Sequence, residues 1–127
     1  MSLEEIIYNS TFKVLPDSYC VAKINADFES SGIFMVSLDD IEATAIYKEG
    51  TAKKGVFEEK SGYRLIAVDV AIPFYAPGFI ASITQRLGEK SISVLVVSTY
   101  SRDYFIVASK HIHQAINELQ SLGIKEH

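Results

Sequence analysis

Tyr63-Arg64-Leu65-Ile66-Ala67-Val68-Asp69-Val70-Ala71-Ile72 alternates along its whole length, and the fold is read outward from it. Successive strand residues point to opposite sides, so Ile66, Val68, Val70 and Ile72 share one face. Leu65 and Ala67 lie on the other face with Asp69, and both sides are expected to be partly covered. Pro73 and Pro77 then bracket an irregular loop, Phe74-Tyr75-Ala76. Pro77 suits the first position of a helix, where its missing N–H costs nothing. Phe79, Ile80, Ile83 and Leu87 follow at helical spacing, and Gly88 is expected to end that helix. Ile92 to Val97 is rich in β-branched residues and reads as a strand. Ser98 to Asp103 holds a polar turn, and Tyr104 to Ala108 is the return strand. Ser109 is placed to cap a last helix striped by Ile112, Ala115, Ile116, Leu119 and Leu122 and ended by Gly123.

The order strand, helix, strand, strand, helix is a ferredoxin-like βαββαβ unit of the α+β class, lacking only its final strand. The residues after Gly123 are too few to supply that strand, so one from the first half is expected to fill the edge slot. The first half, residues 1–60, is a succession of short β-like runs. Thr11 to Leu15 and Tyr19 to Ile24 flank the turn Pro16-Asp17-Ser18 and read as a hairpin. Ile33 to Leu38 and Glu42 to Tyr47 are two further runs. Lys48 to Gly55 reads as a solvated loop, Val56 to Glu59 as a short edge strand, and Leu3 to Tyr8 as one or two helical turns. Residues 61–127 form the second, cleaner half.

Composition narrows the function. The 127 residues are 48% hydrophobic and 22% charged, which excludes wholesale disorder. The net charge of −4 disfavours nucleic acid and an anionic membrane surface as partners. No apolar run is long enough to span a bilayer, and Glu4 and Glu5 argue against a secretory signal. A single cysteine, Cys20, forms no internal disulfide, and a cytoplasmic location is expected. His111 and His113 stand two apart at a helix start and point to different faces, so no metal is expected. Gly50-Thr51-Ala52-Lys53-Lys54-Gly55 lacks the spacing of a phosphate loop, and no cofactor is expected.

The segments Val70 to Phe74, Pro77 to Ala81, Ile92 to Tyr100 and Asp103 to Val107 resemble an ACT domain, the small module that binds amino acids in many metabolic enzymes. Within that family the likeness is to small stand-alone tandem ACT proteins and to the CASTOR arginine sensors. Phe34 to Thr44 resembles the companion N-terminal segment of those proteins. The resemblance spans residues 11–123 and implies two intertwined ACT-like halves, with antiparallel sheets and helices on one face. It also implies a non-enzymatic regulatory or sensor protein that binds a small amino-acid-like ligand, and a homodimer is expected.

Two places can hold such a ligand. The first is the helix start at Pro77, Gly78, Phe79 and Ile80, where free amides and the helix dipole favour a carboxylate. The second is the turn Ser98, Thr99, Tyr100 and Asp103. There Asp103 can accept from an amino or guanidinium group, and Tyr100 can stack on an apolar stem or a cation. The resemblance assigns the ligand side chain to this turn. Glu42, in the first half, can also pin an ammonium group. Other functions compete with this one. A dimerisation module without a ligand fits the same pattern, through exposed strand edges. An acylphosphatase-like enzyme would need a basic residue in Pro73 to Phe79, and there is none. An RNA binder of the same topology would use Tyr104 and Phe105 beside basic residues, against the acidic charge.

Overall fold

A computed structural model describes all of residues 1–127. In chain order the elements are α1 (Leu3–Asn9), β1 (Thr11–Val14), β2 (Tyr19–Ser30), β3 (Ile33–Leu38), β4 (Ala43–Lys48), β5 (Ala52–Asp69), α2 (Phe79–Glu89), β6 (Leu95–Ser98), β7 (Asp103–Ala108), α3 (Ile112–Leu122) and β8 (Lys125–Glu126). They form two compact units. One joins Met1–Leu15 to Arg64–His127; the other is Pro16–Tyr63. No helix is long and apolar enough to cross a membrane.

The first unit has the ferredoxin-like plan. Its strands lie in the order β6, β7, β5, β1, β8. The vacant edge slot beside β5 is filled from the N-terminal half, because β1 pairs antiparallel with it from Thr11 opposite Asp69 to Val14 opposite Ile66. The last residues also form a strand, contrary to expectation. Two of them suffice as β8, which pairs parallel to β1 with Thr11 opposite Lys125. Ile66 and Val68 of β5 and Phe105 and Val107 of β7 form the apolar face that α2 and α3 cover with Phe79, Ile83, Leu87, Ala115 and Leu119. Leu65 and Ala67, on the other face of β5, are fully buried as well.

Local chemistry sets where α1 starts and how it is held. Ser2 Oγ accepts from the Glu5 amide and Glu5 Oε1 accepts from the Ser2 amide, each at 3.1 Å, a reciprocal cap. Ser10 follows the helix and is buried. Its hydroxyl donates to the Ile6 carbonyl at 2.6 Å and accepts from the Ala71 amide at 2.9 Å. That link ties the end of α1 to the chain leaving β5.

Four expected ends move. α2 starts at Phe79, because Gly78 takes the left-handed φ of 86° as its N-cap. It runs through Gly88 to Glu89, and the chain turns at Ser91, whose φ is 59°. The β6 strand is confined to Leu95–Ser98, because Ile92 folds back to donate its amide to Leu87 at 2.9 Å. Ser109 does not cap α3. It opens a short 3-10 turn, Ser109–His111, and its buried hydroxyl has no partner. Gly123 ends α3 in a left-handed cap, as read from the sequence.

The second unit is built of strands only, β2 to β4 and the first part of β5, so the helices of an ACT-like arrangement all belong to the first unit. Within it β4 lies between β2 and β3, while β5 takes the other side of β2. Val56 to Glu59 is the middle of the long β5, and the expected loop shrinks to the residues between Lys48 and Ala52. The β2–β5 register slips between Ile24 and Glu29, opposite Gly55. Cys20, Ala22, Ile24, Ala45 and Tyr47 form its core. Burial pushes the Cys20 thiol up, with Glu59 and Glu49 adding to it, which keeps the sulfur protonated and unreactive. Burial also pushes the Tyr47 phenol up, helped by the hydrogen bond it donates to Glu59.

Candidate functional site

The chain leaves β5 at Asp69, loops through Pro73 and Phe74, and enters α2 at Phe79. The turn between β6 and β7 closes through the Thr99 amide, which donates to the Arg102 carbonyl at 2.9 Å. These two segments are remote in sequence and together line one cavity of about 210 Å³. Of the residues singled out from the sequence, Phe79, Ile80, Ser98, Thr99, Tyr100 and Asp103 line it. Pro77 and Gly78 are outside the lining, and Gly78 instead provides the bend that turns the chain into α2. A Cβ on Gly78 would stand 3.3 Å from the Leu3 side chain. Glu42 takes no part; it pairs with Lys23 at 3.6 Å.

The amides differ from the expected set. The Phe79 N–H is consumed by the Ala76 carbonyl at 3.1 Å. The next two, Ile80 and Ala81, have no acceptor in the chain, as befits the first turn of a helix. No acidic side chain stands in that turn to satisfy them.

The sequence reading missed Arg102. It lines the cavity and binds Asp69 in a bidentate pair along one edge of its guanidinium, Nε to Oδ1 at 2.7 Å and Nη2 to Oδ2 at 3.2 Å. The Asp69 carboxylate, with Tyr104 adding to it, holds the Arg102 guanidinium above even its ordinary high value, so it is permanently charged. The signal was present: Arg102 beside Asp103 is the one basic residue in the turn, and Asp69 is the one acid in the alternating stretch Tyr63 to Ile72. Asp103 is held separately, its Oδ1 accepting from Ser98 Oγ at 2.6 Å. Phe74 and Tyr100 meet edge to face with centroids 5.0 Å apart, although they are 70% and 82% exposed. Phe74 has a φ of 69°, a region that residues with bulky side chains rarely occupy. No group of three or more His, Cys, Asp or Glu side chains is gathered where a metal could sit.

Similar folds are found among solved structures. A protein of Agobacterium tumefaciens superimposes with a TM-score of 0.77 at 21% identity, over 93% of this chain and 92% of that one. A Vibrio cholerae protein of unknown function gives 0.71 at 19% identity, with 95% of each chain covered. The ligand-free regulatory subunit of aspartate kinase from Thermus thermophilus gives 0.59 at 9% identity, over 87% of this chain and 95% of that one. At these identities the likeness is one of fold. No curated protein matches the chain in sequence. The family model described as ACT domain matches residues 58–121, the half of the chain that carries most of β5, α2, the cavity and most of α3, and the chain belongs to the ACT domain family.

Proposed function

We propose that this protein is a non-enzymatic regulator or sensor that binds a free amino acid in the cavity between the Phe74–Ile80 loop and the Ser98–Asp103 turn. ACT domains are regulatory modules that bind amino acids, and the observation that carries the reading to this chain is the convergence of the two segments on one cavity. Drug-sized ligands occupy pockets of roughly 300–1,000 Å³, so a cavity of about 210 Å³ suits a small metabolite. In this reading the free amide of Ile80, which lines the cavity, takes the α-carboxylate, and the open Oδ2 of Asp103 takes the α-ammonium. Tyr100 and Phe79 enclose the rest. Pro77 and Gly78 shape the loop. The one cation at the cavity, Arg102, is held by Asp69, which favours recognition over phosphate clamping.

The test is a thermal-shift and calorimetric screen of the full chain against the twenty amino acids. A ligand at a hundredfold its Kd is expected to add about 2.7 kcal/mol of stability. Asp103→Asn is expected to weaken that ligand at least about tenfold, by removing a charge-assisted bond. No heat and no shift with any amino acid at millimolar concentration would overturn the reading.

A second observation favours association between copies. β3 is an edge strand of its unit, and Ile33, Val36 and Leu38 on it are exposed, with no charge between Ile33 and Leu38. Proteins usually protect such an edge by pairing or charge. We propose a homodimer that covers it. Sedimentation equilibrium is expected to show a dimer at micromolar concentration, and Val36→Lys is expected to shift it to monomer. A wild-type monomer at all concentrations would reject this assembly.

A further inference from the structure

The cavity offers a ligand an unequal set of partners. Much of its wall is apolar, from Val70, Ile72, Ala76, Phe79 and Ile80. Its charged groups are few and mostly engaged. Arg102 is the only cation in the lining, and its charge is already matched by Asp69, which binds it through Nε and Nη2. Asp103 is the only acid in the lining, and one of its two oxygens already accepts from Ser98. One carboxylate oxygen is therefore left, and the α-ammonium of any amino acid needs it.

Resting on the reading that the cavity binds a free amino acid, we infer that its side-chain subsite selects a neutral apolar side chain, aliphatic or aromatic, over basic and acidic ones. A basic amino acid brings two cations to one open oxygen. Its second cation could be matched only by prising Asp69 from Arg102, which would strand the guanidinium. An acidic amino acid would need that same guanidinium for its side-chain carboxylate. Either exchange gives up the bidentate Asp69–Arg102 pair, which is only part-exposed, and leaves one of its charges without a partner. A neutral side chain asks for no partner and is covered by the apolar wall.

The aromatic pair supports the same choice. Phe74 and Tyr100 are T-shaped with an interplanar angle of 75°, so the edge of one ring is already set against the face of the other. That contact uses a ring face that a ligand cation would otherwise occupy. What the pair presents at the cavity is contact area for an apolar group. Phe74, with its left-handed φ of 69°, carries the ring that meets Tyr100.

Calorimetry of the full chain with L-leucine, L-phenylalanine, L-lysine, L-arginine and L-glutamate tests the inference. Leucine or phenylalanine is expected to bind at least about tenfold more tightly than the three charged amino acids, the order of discrimination that unmatched groups impose. Tightest binding by lysine, arginine or glutamate would overturn the inference and leave amino-acid binding intact. Binding by none of the twenty would overturn the parent reading and this one with it. Asp69→Asn removes the charge that occupies Arg102 at nearly constant shape. It is expected to raise glutamate affinity relative to leucine at least about tenfold. An unchanged ratio, in protein whose circular dichroism matches the wild type, would reject the role given to the Asp69–Arg102 pair. Tyr100→Ala changes an exposed residue, so the fold is retained. It is expected to weaken leucine or phenylalanine at least about fivefold by loss of covered area, and unaltered affinity would count against the apolar subsite.

Discussion

Phe12→Ala is expected to destabilise the protein by about 3–5 kcal/mol, the range for emptying a buried aromatic site. Phe12 is fully buried on β1, opposite Val68, and packs in the same core as Phe105 and Leu119. The residue is far in sequence from α2 and α3, yet it closes the sheet those two helices cover. A domain of this size holds roughly 5–15 kcal/mol in total, so the loss is a large share of it. Urea denaturation is the measurement, with a lower midpoint at an unchanged slope as the expected result. Tyr8→Ala is the control. Tyr8 is exposed, and its contact with the Lys125 ammonium at 3.9 Å is worth about 1 kcal/mol or less. A loss below about 1 kcal/mol for Phe12→Ala would mean that β1 does not complete the sheet.

Gly55→Ala is the second large effect. Gly55 has a φ of 86°, and a Cβ there would lie 2.8 Å from the Asp27 carbonyl carbon and nearer still to the backbone of Phe28. Backbone cannot step aside as a flexible side chain can. The left-handed conformation alone costs a residue with a Cβ about 1–2 kcal/mol. The clash adds to it, because β2 must shift at its bulge, and the total is expected to exceed about 2 kcal/mol. Gly50 separates the two contributions: its φ is 77°, but a Cβ there would meet nothing within 4 Å. Gly50→Ala is expected to show the conformational cost by itself, about 1–2 kcal/mol. Equal losses for the two variants would contradict the close approach of β2 and β5 at Gly55.

The second half was legible because its apolar residues are periodic. Ile66 and Val68 on β5, and Phe79, Ile83 and Leu87 on α2, sit where alternation and helical spacing put them. Gly123 stops α3 because the left-handed cap has a residue-specific cost that the sequence displays. The long β5 was not legible. Its first part carries Lys53, Lys54, Glu58, Glu59 and Lys60, mostly exposed, so no alternation marks it as a strand. Gly55 and Gly62 look like loop residues, but both lie within β5 where its register with β2 shifts. Ser109 misled because a serine before an apolar stripe is the ordinary sign of a cap, and here an intervening 3-10 turn takes its place.

In the candidate site, the types of residue were legible and the pairing was not. Ser98, Tyr100 and Asp103 could be singled out as polar and aromatic residues in a turn. That Asp69 reaches across to Arg102 depends on β5 and β7 being neighbours, a long-range fact with no local trace. The free amides likewise fall at Ile80 and Ala81, past Phe79, because the left-handed Gly78 delays the helix by two residues.

The partnership of β1 with β5 has a consequence for biosynthesis. Thr11 to Val14 leave the ribosome before their antiparallel partner, Ile66 to Asp69, so this segment has no docking strand until all of the first half and the start of the second have been translated. Closing so long a loop is slow, and an apolar strand left waiting is a target for off-pathway pairing. Vectorial synthesis therefore leaves Phe12 in need of shelter until β5 emerges, and translation pauses before that point would prolong its exposure.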